Sequence, residues 1–242
     1  MKKYNSLFIV FALALFSLAS CDKDIALPKQ VTVFDGVYIY GSATPKADLD
    51  NENKMPTLNS GEYEDENKEK VHYNKYGRFI KLKAGKIIIS KEENSTADSK
   101  NSIAYAKDAA GKLIKDGTVP VEHTEVGMFL VNVDLHEGTI STAKVDAWGI
   151  IGDATPGGWG TDTDMTLVAD KSDDLTYVYT CDLHLFAGKQ FKFRANDDWA
   201  INLGAADGVM SGGGDNIKVD KEGDYTVTLS LGRELKYSIT KK

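Results

Sequence analysis

Cysteine, histidine and tryptophan are scarce in this 242-residue chain, which contains two, four and three of them. Two cysteines, Cys21 and Cys181, are too few for a thiolate metal cluster or a disulfide framework. The histidines are scattered along the chain and show no metal-ligand spacing; they are His72, His123, His136 and His184. The sequence therefore predicts neither a metal site nor a cofactor.

An excess of positive charge is also missing. The chain has 29 Lys and Arg against 36 Asp and Glu, which gives a formal net charge of −7 at pH 7. Nucleic-acid-binding proteins usually show a basic patch or stripe that neutralises phosphates, and none is present here. A nucleic-acid partner is therefore not expected.

The residue patterns that carry catalysis are absent as well. The sequence has no Gly-x-Ser-x-Gly nucleophile elbow and no Cys–His constellation. Carboxylates are plentiful, but no pair stands in a context that would raise one pKa for general-acid work, as glycoside hydrolysis requires. We therefore expect a non-catalytic protein, with a glycoside hydrolase as the alternative from the enzyme class.

Long hydrophobic runs are limited to residues 7–18, which are too few for a comfortable membrane span. A short basic start precedes this run, and Leu-Ala-Ser-Cys follows it, ending at Cys21. The arrangement resembles a bacterial lipobox, which implies a signal peptide at residues 1–20, acylation of Cys21 and a membrane anchor. Residues 21–31 would then form a tether. An ordinary signal peptide whose cleavage site carries a cysteine is the alternative.

From Val31 onward, the chain is rich in β-branched and aromatic residues, and several segments alternate with period two. Turn-forming residues separate these segments, and their length and spacing are typical of a β-sandwich. Two segments differ from this pattern. Residues 102–112 are interpreted as a short helical turn, and residues 51–70, dominated by charge and turn formers, as a long solvated loop.

The two halves of the chain look like copies of one unit. Gly-x-Ala-Thr-Pro occurs at residues 41–45 and again at 152–156, and Leu-x-Ala-Gly-Lys at 82–86 and 185–189. Two further matched blocks keep the same order, which indicates a duplicated domain. We predict an all-β protein of two tandem immunoglobulin-like or carbohydrate-binding-module-like β-sandwich domains, at residues 32–143 and 145–242.

All three tryptophans fall in the second copy. Trp148 starts a strand and is expected to pack in the core or at the seam between the domains. Trp159 and Trp199 stand among Gly, Pro, Asn and Asp, which are loop residues. A large aromatic side chain in a loop either contacts a ligand or covers the edge of a core. For Trp199, a turn that folds its ring onto the sheet is the alternative.

Polar donors lie close to these tryptophans in sequence. Phe191 and Phe193 alternate with Lys192 and Arg194, so that one pair faces the core and the basic pair faces out. An exposed basic pair is most often a solvated face. Next to aromatic rings, it also suits a sugar, whose apolar face stacks on the rings while its hydroxyls meet the donors. The candidate carbohydrate-binding residues are Trp159, Lys192, Arg194, Asn196, Trp199 and Asn216.

The first copy lacks these features. It has no tryptophan, and it carries Ile-Ile-Ile-Ser-Lys-Glu at residues 87–92 where the second has Phe-Lys-Phe-Arg-Ala-Asn at residues 191–196. This difference is expected if the second copy holds a binding site on a shared scaffold. The alternative is that the first copy fills the same spaces with tyrosines.

Several linked motifs of the second copy resemble a known family. Gly-Asp-Ala-Thr-Pro-Gly-Gly-Trp at residues 152–159 is followed by Phe-Lys-Phe-Arg-Ala-Asn, Trp199, Gly-Gly-Asp-Asn-Ile at 213–217 and Gly-Asp-Tyr-Thr-Val at 223–227. Together they resemble the repeated domain of the SusE/SusF outer-membrane starch-binding lipoproteins of Bacteroidetes. The resemblance spans residues 145–242 and extends to the first copy through the repeat. Asp-Lys-Asp after Cys21 also resembles the surface-export signal of such lipoproteins.

This resemblance implies non-catalytic capture of a polysaccharide or oligosaccharide, with a starch-like α-glucan favoured, for a Sus-type importer. It implies a lipid-anchored protein on the outer face of the outer membrane. Trp159 and Trp199 would form the aromatic platform, with Lys192, Arg194 and Asn196 as polar contacts. From the residues alone, Asn216 either approaches the ligand or caps its turn. The alternative is a structural lipoprotein that binds another protein of the uptake complex through its sheet edges.

Overall fold

The computed structural model describes residues 33–93 and 102–242. All of the described residues belong to one compact unit. The predicted signal peptide at residues 1–20, the tether at residues 21–31 and the lipidation site Cys21 lie outside the described residues.

Two antiparallel sheets make up the first half of the described chain. One sheet runs in the order β1 (Gly36–Tyr40), β4 (Gly85–Glu92), β5 (Ser102–Lys107) and β6 (Leu113–Lys115), with β7 (Val121–His123) also paired to β4. The other runs in the order β2 (Thr57–Glu64), β3 (Lys70–Leu82), β8 (Gly127–Asp134) and β9 (Thr139–Lys144). A 3₁₀ turn at Asn51–Asn53 precedes β2.

The second half repeats this arrangement. Its first sheet runs in the order β11 (Gly158–Asp164), β10 (Trp148–Gly152), β14 (Gln190–Ala195), β15 (Asn202–Ala206) and β16 (Val209–Gly212), with β17 (Ile217–Lys218) paired to β14. The second sheet runs in the order β12 (Thr166–Leu167), β13 (Tyr177–Leu185), β18 (Gly223–Leu231) and β19 (Leu235–Lys241). A 3₁₀ turn at Ala169–Lys171 follows β12.

Each half buries its core between its two sheets. In the first half, Ile39 and Ile89 of one sheet pack with Ile80 and Val131 of the other. The second half does the same with aromatic and aliphatic side chains of both sheets. Side chains of alternate strand positions point to opposite faces, so period-two sequences supply one apolar face per sheet. The predicted all-β sandwich class is confirmed.

Two local predictions are wrong. Residues 102–112 do not form a helical turn, because Ser102–Lys107 is a strand that pairs with both β4 and β6. Residues 51–70 are not one loop, since they contain β2 and the turn that leads into β3. In that turn, the carboxylate of Asp65 accepts hydrogen bonds from the backbone N–H of Asn67 (2.9 Å) and Glu69 (2.8 Å). A charged edge strand resembles a loop in composition.

The repeated Gly-x-Ala-Thr-Pro motif forms the same corner in both halves. Thr44 Oγ1 donates to the carbonyl of Gly41 (3.0 Å), and Thr155 Oγ1 donates to that of Gly152 (2.9 Å). Both glycines have φ in the left-handed region, at 116° and 154°, where side chains are strained. A Cβ at Gly152 would lie 2.2 Å from a backbone oxygen of the neighbouring strand β14, so glycine is required there.

Apolar contact continues across the boundary between the halves. Leu58, Phe79 and Leu130 of the first half belong to the same buried cluster as the core of the second. The rings of Phe79 and Trp148 meet edge to face, with centroids 5.3 Å apart and an interplanar angle of 73°. Trp148 therefore packs in the core at the seam, as predicted. The division into domains at residues 32–143 and 145–242 stays a prediction.

Candidate functional site

Two exposed indole rings lie side by side on the second half. Trp159 lies on the edge strand β11, and Trp199 lies in the loop between β14 and β15. Their ring centroids are 6.0 Å apart, with an interplanar angle of 37°. Trp159 is 42% exposed and Trp199 is 46% exposed, so both rings contribute to one aromatic surface. We call these two rings the tryptophan pair.

The structure corrects the setting of Trp159. The sequence predicted a loop residue, whereas Gly158–Asp164 is a strand paired with β10. The described part of the first half has no equivalent of this strand between β1 and β2, where it has the turn Asn51–Asn53. An edge strand rich in Gly, Thr and Asp carries few sequence signals of a strand.

The loop that carries Trp199 is held by its own polar residues. Asn196 and Asp197 have positive φ values of 56° and 54°, which short polar side chains tolerate better than most. The Asp198 carboxylate accepts from the N–H of Ala200 (2.7 Å). Asn202 Nδ2 donates to the carbonyl of Trp199 (2.9 Å), which fixes the backbone beneath the ring.

A buried ion pair lies against the tryptophan pair. Arg194 Nε donates to both carboxylate oxygens of Asp162, at 2.9 and 2.8 Å. The guanidinium carbon of Arg194 lies 4.9 Å from the ring centroid of Trp199, within the range of a cation–π contact. Phe191 and Phe193 are fully buried, as the alternation predicted. Arg194 faces away from that core, yet it is only 8% exposed rather than solvated, since Asp162 and Trp199 pack against it.

The space for this ion pair comes from a glycine. Gly149 lies opposite Arg194 in the register of β10 and β14, and a Cβ there would lie 2.8 Å from Cβ of Asp162. Asp162 therefore reaches Arg194 across β10 where that strand has no side chain. Aligning the two Gly-x-Ala-Thr-Pro corners places Tyr38 of the first half at the position of Gly149. Tyr38 is fully buried, which agrees with the alternative that a tyrosine fills this space.

Burial raises the pKa of Asp162, and the carboxyl of Asp197 raises it further, while the Arg194 guanidinium acts in the opposite direction. Burial is the largest of these effects, so the pKa of Asp162 lies above its ordinary value. Asp162 was not among the predicted site residues. One signal could have indicated Asp162: it lies on β11, two strands away from the basic residue Arg194 on β14, and the strand between them carries Gly149.

The remaining predicted residues are Lys192, Asn196 and Asn216, and the two amides make hydrogen bonds to other parts of the second half and of the connection between the halves. Lys192 is half-buried on the outer face of β14. Burial lowers the pKa of Lys192, and the opposing effect of the Asp215 charge is smaller. Asn196 Oδ1 accepts from the N–H of Asp146 (2.7 Å) and of Ala147 (3.2 Å). Asn216 Nδ2 donates to the side chain of Gln190 (3.1 Å). The amide of Asn196 thus braces the connection between the halves.

Within residues 33–93 and 102–242, no group of three His, Cys, Asp or Glu side chains is placed to hold a metal ion. Over the same ranges, the chain has no helix of the length and apolar character needed to span a membrane.

Comparison with known proteins adds one structural similarity. No family model matches the chain, and no curated protein matches it. Among solved structures, the chain is similar to SusF from Bacteroides thetaiotaomicron, with 18% sequence identity and a TM-score of 0.33. The similarity covers 87% of this chain and 50% of SusF, so the chain spans about half the length of that protein.

Proposed function

We propose that this protein is a non-catalytic, cell-surface glycan-binding lipoprotein whose tryptophan pair captures polysaccharide or oligosaccharide. The observation that carries the proposal is the exposure of two indole rings, 6.0 Å apart, on a buried ionic support. Exposed aromatic pairs of this size are costly in water and commonly mark a binding surface. The flat apolar faces of sugar rings are suitable partners for them.

The tilt between the two indole rings favours a curved glycan over a flat one. At 37°, the two indole planes form a shallow angle rather than one flat surface. Such an angle suits a chain that curves, as α-glucans do, better than a flat ribbon. A starch-like α-glucan is therefore the favoured ligand.

The polar residues take different roles in this proposal. Lys192 lies on the same sheet face as Arg194 and supplies donors to sugar hydroxyls, and Asn216 is exposed near the end of the same strand. Arg194 positions Trp199 from behind and does not itself need to contact the sugar. Asn196 fixes the loop of Trp199 through the backbone of residues 144–147.

The cellular setting is proposed from the sequence. The lipobox at Cys21 predicts a lipid anchor, and the surface-export signal predicts the outer face of the outer membrane. A binding protein placed there would hand glycan to a Sus-type importer. Many weak sites on one surface would compensate for the modest affinity of a shallow aromatic platform.

A protein-interaction role is the second candidate. Phe34 and Val209 are 57% and 71% exposed and line one broad depression on the surface. Exposed apolar side chains in a depression suit a protein partner better than a sugar. This surface would bind a protein of the uptake complex, and it becomes the main function if no glycan binds.

Affinity electrophoresis tests the proposal. Residues 21–242 with Cys21→Ser, and the same protein with Trp159→Ala or Trp199→Ala, would run through gels containing soluble starch, pullulan, dextran, xylan or levan. Phe186→Ala is the matched control, because Phe186 is an exposed aromatic (38%) that is not part of the pair. We expect retardation in starch and pullulan that both tryptophan variants lose and the control keeps. Free migration of the unmutated protein in every gel contradicts the proposal.

A further inference from the structure

A cavity of about 400 Å³ lies at the seam between the two halves. The first half lines it with Asn59, Lys75, Asn132 and Asp134, and the second half with Ala200 and Asn202. Its base includes the buried side chains of Leu58, Phe79 and Leu130, which belong to the shared core. The cavity therefore combines an apolar base with polar walls, as small-ligand sites do.

Three side-chain amides line this cavity with hydrogen-bonding capacity to spare. Within the described part of the chain, Asn59 and Asn132 have no side-chain hydrogen-bond partner. Oδ1 of Asn202 is buried and likewise has no partner among the described residues. An amide supplies both donors and acceptors, which is the combination that sugar hydroxyls require. A ligand that met these groups would satisfy an acceptor that is otherwise costly to bury.

The charges of the cavity are balanced. Lys75 Nζ lies 3.2 Å from Asp134 Oδ2, and Asp134 is only 7% exposed. The Asp134 carboxylate also accepts from the N–H of His136 (3.0 Å) and of Glu137 (2.9 Å). A neutral pair leaves no net charge to attract an ion, so the walls fit an uncharged polyhydroxylated ligand better than an acidic one.

Aromatic side chains stand beside this pair. Lys75 Nζ lies 5.5 Å from the ring centroid of Tyr73, whose hydroxyl donates to Asp134 Oδ2 (3.4 Å). The rings of Tyr63 and His136 stack with centroids 4.2 Å apart, and the ring centroid of His136 lies 4.5 Å from that of Tyr73. Tyr63 is 38% exposed, so this aromatic cluster reaches solvent beside the ion pair of Lys75 and Asp134.

The loop of Trp199 joins this cavity to the tryptophan pair. Ala200 follows Trp199 directly and lines the cavity, while Asn202 lines it and donates to the carbonyl of Trp199. We propose that the cavity is a second glycan subsite, which takes a neutral sugar residue of the chain that stacks on Trp159 and Trp199. This inference rests on the proposed function. Both halves would then contribute residues to the binding site.

The experiment compares a short and a long α-glucan by calorimetric titration. Maltotriose is short enough to bind the tryptophan pair alone, whereas maltoheptaose can reach both sites. The variant is Asn59→Ala with Asn132→Ala; the control is Asn74→Ala, an exposed amide on the opposite face of β3. We expect the double variant to lose roughly tenfold in maltoheptaose affinity. Its maltotriose affinity and its urea midpoint should match those of the unmutated protein.

Equal maltoheptaose affinity in the double variant and the unmutated protein would overturn the subsite while leaving the tryptophan pair as the binding site. Absence of binding to both oligosaccharides, or binding that Trp159→Ala leaves unchanged, would overturn the proposed function and the subsite together. Hydrogen exchange gives a second measurement that does not depend on the variants. Maltoheptaose should slow exchange in β2 and β8 as well as in residues 196–202, and protection confined to residues 196–202 counts against the subsite.

Discussion

The guanidinium of Arg194 lies 4.9 Å from the ring centroid of Trp199, while its Nε binds the carboxylate of Asp162. A buried charge thus supports an exposed aromatic ring from behind. The geometry ties the position of the exposed ring to folding, because the same guanidinium neutralises Asp162 and contacts the ring.

Replacing Arg194 with methionine should destabilise the protein and weaken glycan binding. The change leaves the buried carboxylate of Asp162 without its partner, and breaking a buried ion pair in this way costs about 3–5 kcal/mol. Urea denaturation measures the loss in the free energy of unfolding. Lys192→Met is the matched control on the same strand and face, and we expect a change below about 1 kcal/mol. Equal losses in the two variants would contradict the role of the ion pair.

Gly149→Ala should displace Asp162 from Arg194. The new Cβ would lie 2.8 Å from Cβ of Asp162 and 2.9 Å from its Oδ2, closer than atoms of a packed protein tolerate. We expect a loss of about 1–3 kcal/mol, typical of overpacking, and weaker retardation in starch gels. Gly160→Ala is the control, because its Cβ would meet one backbone oxygen at 3.8 Å. A fully stable Gly149→Ala protein would disprove the close approach.

Phe79→Ala should destabilise both halves together. The change removes the ring that meets Trp148 edge to face, and truncation of a buried phenylalanine costs about 3–5 kcal/mol. Tryptophan fluorescence follows the second half, which holds all three tryptophans, while far-UV circular dichroism follows both halves. The two unfolding curves should coincide and shift together in urea. Separate transitions in the unmutated protein would show that the seam does not couple the halves.

The stabilising contact of His184 with Asp224 should depend on pH. His184 Nδ1 lies 2.9 Å from Asp224 Oδ1, and this hydrogen bond raises the pKa of His184 above 6.5. The stabilisation is therefore full below pH 6.5 and disappears as the pH rises through the raised pKa. His184→Gln should lower the urea midpoint at pH 5.5 and leave it unchanged at pH 9. Asp224→Asn should give the same pattern, and an effect of equal size at both pH values would refute it.

The sequence predicted the scaffold because its signals are local. Strand alternation, the Gly-x-Ala-Thr-Pro corners and the position of Trp148 depend on residues within a few positions of each other. Residues 51–70 were misjudged, since an edge strand that faces water has the composition of a loop. Local pattern alone does not distinguish the two.

The ion pair beneath the tryptophan pair could not be predicted from the sequence, for a different reason. Asp162, Gly149 and Arg194 lie on three strands that become neighbours only when the sheet forms. Alternation correctly placed Arg194 on the outer face, but it contains no information on what covers that face. The bracing role of Asn196 was missed likewise, because its partners lie about 50 residues away.

The exchange of Tyr38 for Gly149 changes how the outer face of the sheet is covered. In the first half a tyrosine of the strand itself fills the face. In the second half, Asp162 reaches in from the edge strand β11 over a position that has no side chain. The loss of one side chain at this position thus goes together with an added strand and a buried charge.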